Sequence, residues 1–218
     1  MKDLKSILKE CSIKEIYCDN HGAPITYVIP IYQRNYAWER DEICALIKDV
    51  HDSMDMGKTV YYIGTLVTYK RDENKYEVID GQQRLTTIYI ILRALGVQDI
   101  YNRLTYSARK ASASTIEALS GRGEKEDLGE MPDLGIKNGF DSAKAGLDEI
   151  VGMAQTDVDK FKEYFLNHVH IIHYRVPKDV DLNHYFEVMN SRGEQLEKHE
   201  IVKAKLSEQF IGDNTSME

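Results

Sequence analysis

Apolar residues recur at helical spacing in several parts of the chain. The clearest case is residues 41–57, where acidic residues open the segment and Gly57 closes it. Acidic side chains stabilise a helix N-terminus because they face its exposed amides and the positive end of its dipole. The pattern predicts a helix whose buried stripe consists of Ile43, Leu46, Ile47, Val50 and Met54. Similar spacing predicts further helices around Leu4, Ile7 and Leu8 and over residues 141–153, 157–167, 182–189 and 197–210.

Two β-rich segments flank a short charged sequence and predict a hairpin. Residues 60–69 and 76–79 are rich in Val, Ile, Thr and Tyr, and the sequence KRDENK lies between them. The second segment continues directly into a predicted helix over residues 82–95, which Gly96 ends as a C-cap. A strand therefore runs straight into a helix at this point of the chain.

The middle of the chain differs in composition from both sides. Residues 102–138 are rich in Ser, Ala, Gly and charged residues, and the run SGRGEKEDLGEMPDLG is typical of a loop. Further strands are predicted at residues 26–29 and 169–176. The order of elements predicts a mixed α/β (α+β) fold. We expect three parts: residues 1–101, a variable loop or insertion outside the core at 102–138, and a helical part with one strand at 139–218.

Charge and hydropathy narrow the classes of function. The 218 residues carry a formal net charge of −8, which disfavours a domain that holds duplex DNA by itself. A nucleoside triphosphate remains compatible, because it needs only a few donors at one site. The N-terminus has no signal-peptide pattern, and the longest apolar run is residues 88–92. We expect a cytoplasmic protein with no membrane segment.

Cysteines and histidines offer two weaker possibilities for metal binding. The three cysteines Cys11, Cys18 and Cys44 form no CxxC pair, so free thiols are expected. A zinc site of Cys11, Cys18 and His21 stays open as an alternative. His168 and His170 would share one strand face, which permits a metal but more often reflects partly buried residues.

The segment EVIDGQQRLTT has the strongest chemical pattern. Asp80 and Gly81 reach a turn, and Gln82, Gln83 and Arg84 fall in the first turn of the next helix. Free amides at a helix N-terminus favour an anion, and an arginine fork suits phosphate oxygens. Asp80 has the chemistry to hold Mg²⁺ beside a phosphate. The alternative is structural, with Asp80 as an N-cap and Arg84 in a surface ion pair.

A second segment, IPIYQRNYAW, combines aromatic residues with an arginine. Gln33 and Arg34 lie between Tyr32 and Tyr36, and Trp38 follows. Aromatic planes and a guanidinium can stack on a base and bind a phosphate. The alternative is that the aromatics anchor a loop and Arg34 forms a structural salt bridge.

A third segment lies late in the chain, at residues 185–206. Asn190, Arg192 and Gly193 interrupt an otherwise helical pattern, and the two polar side chains are candidates to face a ligand. The alternatives are a helical corner with capping groups and a DNA-reading helix-turn-helix. The acidic residues of the second helix disfavour the last of these.

Four of these segments together resemble one protein family. They are IPxYQRxYxW, a YIGTLV-like strand, VIDGQQRLTT and FxxxNxRGxxL, found here at Ile29–Trp38, Tyr62–Val67, Val78–Thr87 and Phe186–Leu196. In this order they resemble the N-terminal domain of GmrSD restriction endonucleases. The resemblance implies a ParB/sulfiredoxin-like mixed-sheet core with additional helices, in a chain that is part of a longer protein.

The resemblance also implies a function and a site. It implies a nucleoside triphosphate-binding, in some members hydrolysing, domain that uses Mg²⁺ and acts in phage defence. The cutting activity would belong to a C-terminal HNH-type nuclease domain or subunit, and DNA would be bound only through the full-length protein. The alternative is a non-catalytic DNA- or protein-binding module. By motif position, the catalytic candidates are Asp80, Gln83 and Arg84, with Asp80 as metal ligand; the nucleotide-binding candidates are Gln33, Arg34, Gly81, Gln82, Asn190, Arg192 and Gly193. We expect Arg34, Asp80, Gln83 and Arg84 to line one pocket.

Overall fold

The fold is described by a computed structural model for residues 7–19, 21–119, 131–178 and 180. The chain divides after Val176, and nearly all the described residues belong to the first unit, Met1–Val176. The strands of this part are β1 (Leu8–Ser12), β2 (Thr26–Ile29), β3 (Tyr61–Asp72), β4 (Lys75–Asp80), β5 (Leu104–Tyr106) and β6 (Val169–Val176). Its helices are α1 (Ile13–Ile16), α2 (Arg40–Asp55), α3 (Gln82–Ala94), α4 (Lys110–Ala118), α5 (Leu134–Ile150) and α6 (Gln155–Asn167).

The strands form one mixed sheet in the order β1-β6-β3-β4-β2-β5. β3 and β4 pair antiparallel, with Tyr69 opposite Glu77, so the predicted hairpin is confirmed. β2 lies parallel to both β4 and β5, while β6 runs parallel to β3 and antiparallel to β1. The predicted mixed α/β class is therefore confirmed.

Helix α3 is the most deeply buried helix of the described part. Almost every residue from Leu85 to Ala94 is buried, including Tyr89 and Ile90. α5 packs against both α2 and α3, which covers one side of α3. Burying this much apolar surface fixes the position of the helix, and its N-terminus is thereby held at the end of β4.

Three predicted elements differ from the structure. Residues 8–12 form edge strand β1 rather than a helix, because their amides and carbonyls pair with β6. The expectation that all of residues 102–138 lies outside the core is wrong for β5 and α4: Leu104, Tyr106 and Ile116 are buried. α5 begins at Leu134 and not near residue 141, because Asp133 caps it by accepting from the amide of Ile136 at 3.2 Å.

Other predictions fall on residues that are not described. These are the helices over residues 182–189 and 197–210 and the site candidates Asn190, Arg192 and Gly193, which lie outside the described residues. Within the described part, no helix has the length and apolar character that a bilayer span requires.

Candidate functional site

The junction between β4 and α3 is built around a glycine. Gly81 is the N-cap of α3 and has a left-handed backbone with φ of 90°. A Cβ at this position would stand 2.8 Å from the carbonyl oxygen of Thr65, so a larger residue would force β3 and α3 apart. Glycine has no side chain that could cap the helix, and the first turn of α3 contains no acidic residue. No side chain of this turn therefore neutralises the positive end of the helix dipole.

Arg84 lies in this first turn and is half-buried. Its Nη1 donates to the carbonyl oxygen of Thr65 at 2.9 Å, and its guanidinium packs on the backbone of Gly64. Burial lowers the pKa of Arg84 from its ordinary value, while the nearby Asp80 carboxylate acts in the opposite direction. A cation partly withdrawn from water therefore stands beside the N-terminus of α3, and both features favour an anion.

Gln83 connects the start of α3 to the loop at residues 31–37, which we call the motif loop. Its Oε1 accepts from the amide of Ala37 at 2.8 Å, and its Nε2 donates to the carbonyl oxygen of Asn35 at 2.9 Å. The same Nε2 lies 2.7 Å from Oε1 of Gln82. The side-chain amide of Gln83 thus binds the main chain of the motif loop twice, once as an acceptor and once as a donor.

Three side chains of the motif loop reach back toward β4 and α3. Nε2 of Gln33 donates to the carbonyl oxygen of Ile79 at 2.7 Å, and the hydroxyl of buried Tyr36 lies 2.8 Å from Oγ1 of Thr87. Tyr32 stays 52% exposed and donates to Oε1 of Glu77 at 2.7 Å. The motif loop and the DGQQR segment therefore form one structural unit, although 46 residues separate Gln33 from Ile79.

A third segment completes this unit, and sequence reasoning missed it. The hydroxyl of Tyr106 bonds to Oγ1 of Thr86 at 2.9 Å and accepts from Nε2 of Gln82 at 3.3 Å. Arg109 donates to the carbonyl oxygens of Ile31, Gln33 and Arg34. These residues fall in the region that the sequence predicts to be a loop, and no local motif marks them.

Of the site candidates that the structure describes, those of the motif loop and of the DGQQR segment lie next to each other, but most of their side chains bind the protein itself. Gln33, Gln82, Gln83 and Arg84 all hydrogen-bond to main-chain or side-chain groups of the unit. Arg34 differs: its side chain is exposed, and among the described residues its guanidinium has no hydrogen bond or ion pair, although its carbonyl oxygen accepts from Arg109. The structural alternative from the sequence assigns Asp80 as the N-cap and Arg84 to a surface ion pair. In the structure Gly81 is the N-cap, and Arg84 donates to the carbonyl oxygen of Thr65.

The described histidines and cysteines do not gather into a metal cluster. Among the described residues, no group of three His, Cys, Asp or Glu side chains is placed to hold a metal ion. His168 and His170 have different partners: Nδ1 of His168 faces the carbonyl oxygen of Thr59 at 2.8 Å, and Nδ1 of His170 lies 2.6 Å from Oε1 of Glu10. Cys11, Cys18 and Cys44 are free thiols.

Comparison with known proteins identifies the family. The sequence profile of the GmrSD restriction endonuclease, N-terminal domain, matches residues 13–207, which include all the segments described above. A comparison with curated proteins gave no match. Since the profile covers most of the chain, this protein belongs to the family of GmrSD restriction endonuclease N-terminal domains.

Proposed function

We propose that this domain binds a nucleoside triphosphate, together with Mg²⁺, at the N-terminus of α3. The observation that carries the proposal is the pairing of Gly81 with Arg84: a glycine N-cap supplies no side-chain cap to the first helical turn, and a half-buried guanidinium stands beside that turn. Exposed amides, the helix dipole and an arginine fork together favour phosphate oxygens. An acidic residue in the first turn of α3 would oppose such a ligand, and none is present there.

The residues divide into two proposed roles. Arg84 and the exposed Arg34 bind phosphate oxygens, and the backbone at Gly81 permits their close approach. Gln33, Gln82 and Gln83 hold the motif loop and the start of α3 in one arrangement, because their amides bond to main-chain and side-chain groups on both sides. A site whose residues are fixed before binding loses less conformational entropy when the ligand arrives.

Asp80 offers one carboxylate to a magnesium ion that the nucleotide itself would bring. Mg²⁺ usually takes one or two carboxylates, with phosphate oxygens and waters completing its shell. Asp80, at the end of β4 and directly before Gly81, supplies one such carboxylate. When bound, the ion would neutralise phosphate charge. If the domain hydrolyses nucleotide, Asp80, Gln83 and Arg84 are the proposed catalytic residues.

The family places this domain in a GmrSD-type restriction protein. We propose that its nucleotide state regulates an HNH-type nuclease domain or subunit in phage defence, and that DNA is contacted through the full-length protein. The net charge of −8 supports the last point, because a domain that grips duplex DNA alone usually carries a basic face.

Calorimetric titration of the purified chain tests the proposal. ATP, GTP, CTP and UTP are each titrated with and without Mg²⁺. We expect at least one to bind, with an affinity that falls when Mg²⁺ is removed from wild type and changes less in Asp80→Asn. If wild type binds none of the four at millimolar concentration, the nucleotide proposal is wrong.

A second candidate function is a non-catalytic DNA- or protein-binding module. It is favoured by the exposure of Ile31 and Tyr32 on the motif loop, at 65% and 52%, and by the engagement of the glutamine amides within the protein. Ile31→Ser distinguishes the two candidate functions. If the domain is a binding module, the variant should bind its DNA or protein partner more weakly, while its nucleotide affinity should stay unchanged.

A further inference from the structure

The segment at residues 106–109, between β5 and α4, contacts both halves of the candidate site. Tyr106 bonds to Gln82 and Thr86 of α3. The amide of Ser107 donates at 2.9 Å to the carbonyl oxygen of Ile29, two residues before the motif loop. Arg109 then reaches over the motif loop itself. One short segment therefore connects the N-terminal part of α3 to the loop that carries Arg34.

Arg109 binds the motif loop through main-chain oxygens alone. Its Nη2 donates to the carbonyl oxygen of Ile31 at 3.0 Å and also to that of Gln33, and its Nη1 lies 3.4 Å from the carbonyl oxygen of Arg34. Three carbonyls within four residues can share one guanidinium only in a particular backbone conformation. Because a planar fork fixes the relative directions of its N–H groups, Arg109 selects that conformation.

The backbone before Arg109 supports the same conclusion. Ala108 has φ of 63°, in the left-handed region that residues with a Cβ rarely adopt. Such a conformation is strained and persists only where the surrounding contacts impose it. Here the neighbouring contacts are the bonds of Ser107 to Ile29 and of Arg109 to the motif loop.

We infer that Arg109 is a positioning residue: it fixes the motif loop so that Arg34 is presented to the nucleotide. The inference rests on the proposed function, since it assigns Arg109 a part in the same site. Gln33 is held on one side by Arg109 at its carbonyl and on the other by Ile79 at its side chain. Arg34 follows directly, and its exposed side chain takes its direction from a backbone that Arg109 holds.

The experiment uses Arg109→Gln and Arg109→Lys, with Lys110→Gln as the matched control. Lys110 is the next residue, is exposed, and carries the same charge. Hydrogen–deuterium exchange without nucleotide is measured on peptides that cover residues 30–38, because exchange reports local opening. Calorimetry then gives the dissociation constant for the nucleotide that wild type binds, at a temperature where every variant is folded.

Both Arg109 variants should speed exchange in residues 31–35, while Lys110→Gln should match wild type. Both should weaken nucleotide binding by about tenfold, because a displaced binding group loses most of its contribution. Lysine should not rescue, since one ammonium cannot span the three carbonyls. Exchange and affinity equal to the Lys110→Gln control would overturn the inference. If wild type binds no nucleotide, the proposed function fails, and exchange alone still decides whether Arg109 fixes the loop.

Discussion

Gly64 leaves the space that the guanidinium of Arg84 occupies. A Cβ built on Gly64 would stand 2.9 Å from Cζ of Arg84, and the backbone of Gly64 has a positive φ of 113°. Gly64 lies on β3, where the pairing with β6 is irregular between Tyr62 and Thr65. The carbonyl oxygen of Thr65, at the end of this irregular stretch, accepts from Nη1 of Arg84. The orientation of the arginine is therefore set by the strand as much as by its own helix.

Gly64→Ala should displace Arg84. The side chain of Arg84 is flexible at its far end, so the guanidinium can move away from the new methyl group of residue 64. It then loses its hydrogen bond to the carbonyl oxygen of Thr65. We expect nucleotide affinity to fall about tenfold, the loss of one charge-assisted contact. Gly152→Ala is the control, since Gly152 also has a positive φ, of 102°, but open space around its Cβ position. Gly152→Ala should lower the free energy of unfolding by an amount similar to that of Gly64→Ala and leave nucleotide affinity unchanged. Equal losses of nucleotide affinity in both variants would contradict this prediction.

Gln83→Glu should loosen the motif loop. A carboxylate still accepts from the amide of Ala37, but it cannot donate to the carbonyl oxygen of Asn35 and would repel it. We expect the free energy of unfolding to fall by about 1 kcal/mol, measured by urea denaturation. Thr156→Glu, at the exposed second position of α6 as Gln83 is at the second position of α3, controls for a new charge at a helix start. Equal stability of the two variants would show that Gln83 does not hold the loop.

The sequence predicts those elements whose periodicity is strong. The hairpin of β3 and β4, the helices α2 and α3, and strand β6 all appear where alternation or helical spacing places them. β5 has only three residues, and its neighbours in the sequence are polar. Such a strand is too short for an alternating pattern to be recognised. β1 lies at the sheet edge, where Lys9 and Glu10 are exposed, so its sequence does not alternate as a half-buried strand does.

Some site residues can likewise be recognised from a local sequence pattern, and others cannot. Asp80, Gly81, Gln83 and Arg84 are contiguous in a strand–turn–helix pattern and can be recognised locally. Arg109 acts on main-chain oxygens more than 70 residues away, and its partners carry no side-chain signal in the sequence. The role of Gly64 likewise depends on how β3 packs against α3, which spacing does not reveal.

Arg93 should matter for stability and not for binding. It is 3% exposed, and its guanidinium donates to the carbonyl oxygens of Leu119 and Val97 and to Oε1 of Gln98. Arg93→Lys leaves some of these buried acceptors without a donor, which should cost about 3 kcal/mol in the free energy of unfolding. Arg40→Lys, in an exposed pair with Glu149, should cost less than about 1 kcal/mol. Urea denaturation compares the two, and similar costs would contradict the prediction.

His173 should make the domain less stable in acid. Burial, with smaller effects from Arg175 and Lys9, lowers its pKa from 6.5 to about 3, and Nε2 lies 2.8 Å from Oγ1 of Thr68. The imidazole stays neutral in the fold, while the unfolded chain binds a proton below pH 6.5. Stability is therefore unaffected by this group above pH 6.5 and decreases as pH falls toward 3, by about 1.4 kcal/mol per pH unit.

His173→Gln tests this linkage, because the amide can still bond to Thr68 but does not titrate. The variant should be less stable than wild type at pH 7.5, yet lose less stability between pH 6.5 and pH 4.5. Urea denaturation at several pH values provides the comparison. Parallel pH dependence of the two proteins would mean that His173 is not the group responsible.

The proposed phosphate-binding site at the start of α3 depends most directly on Arg84. Calorimetric titration of Mg²⁺-nucleotide into wild type, Arg84→Ala and Arg84→Lys measures its contribution. We predict that Arg84→Ala weakens binding roughly ten- to a hundredfold while the domain stays folded, the loss of a charge-assisted bond of about 1.5–3 kcal/mol. Arg84→Lys should recover only part of this, because a point charge does not reproduce the planar fork. Binding by Arg84→Ala as tight as wild type would contradict the account.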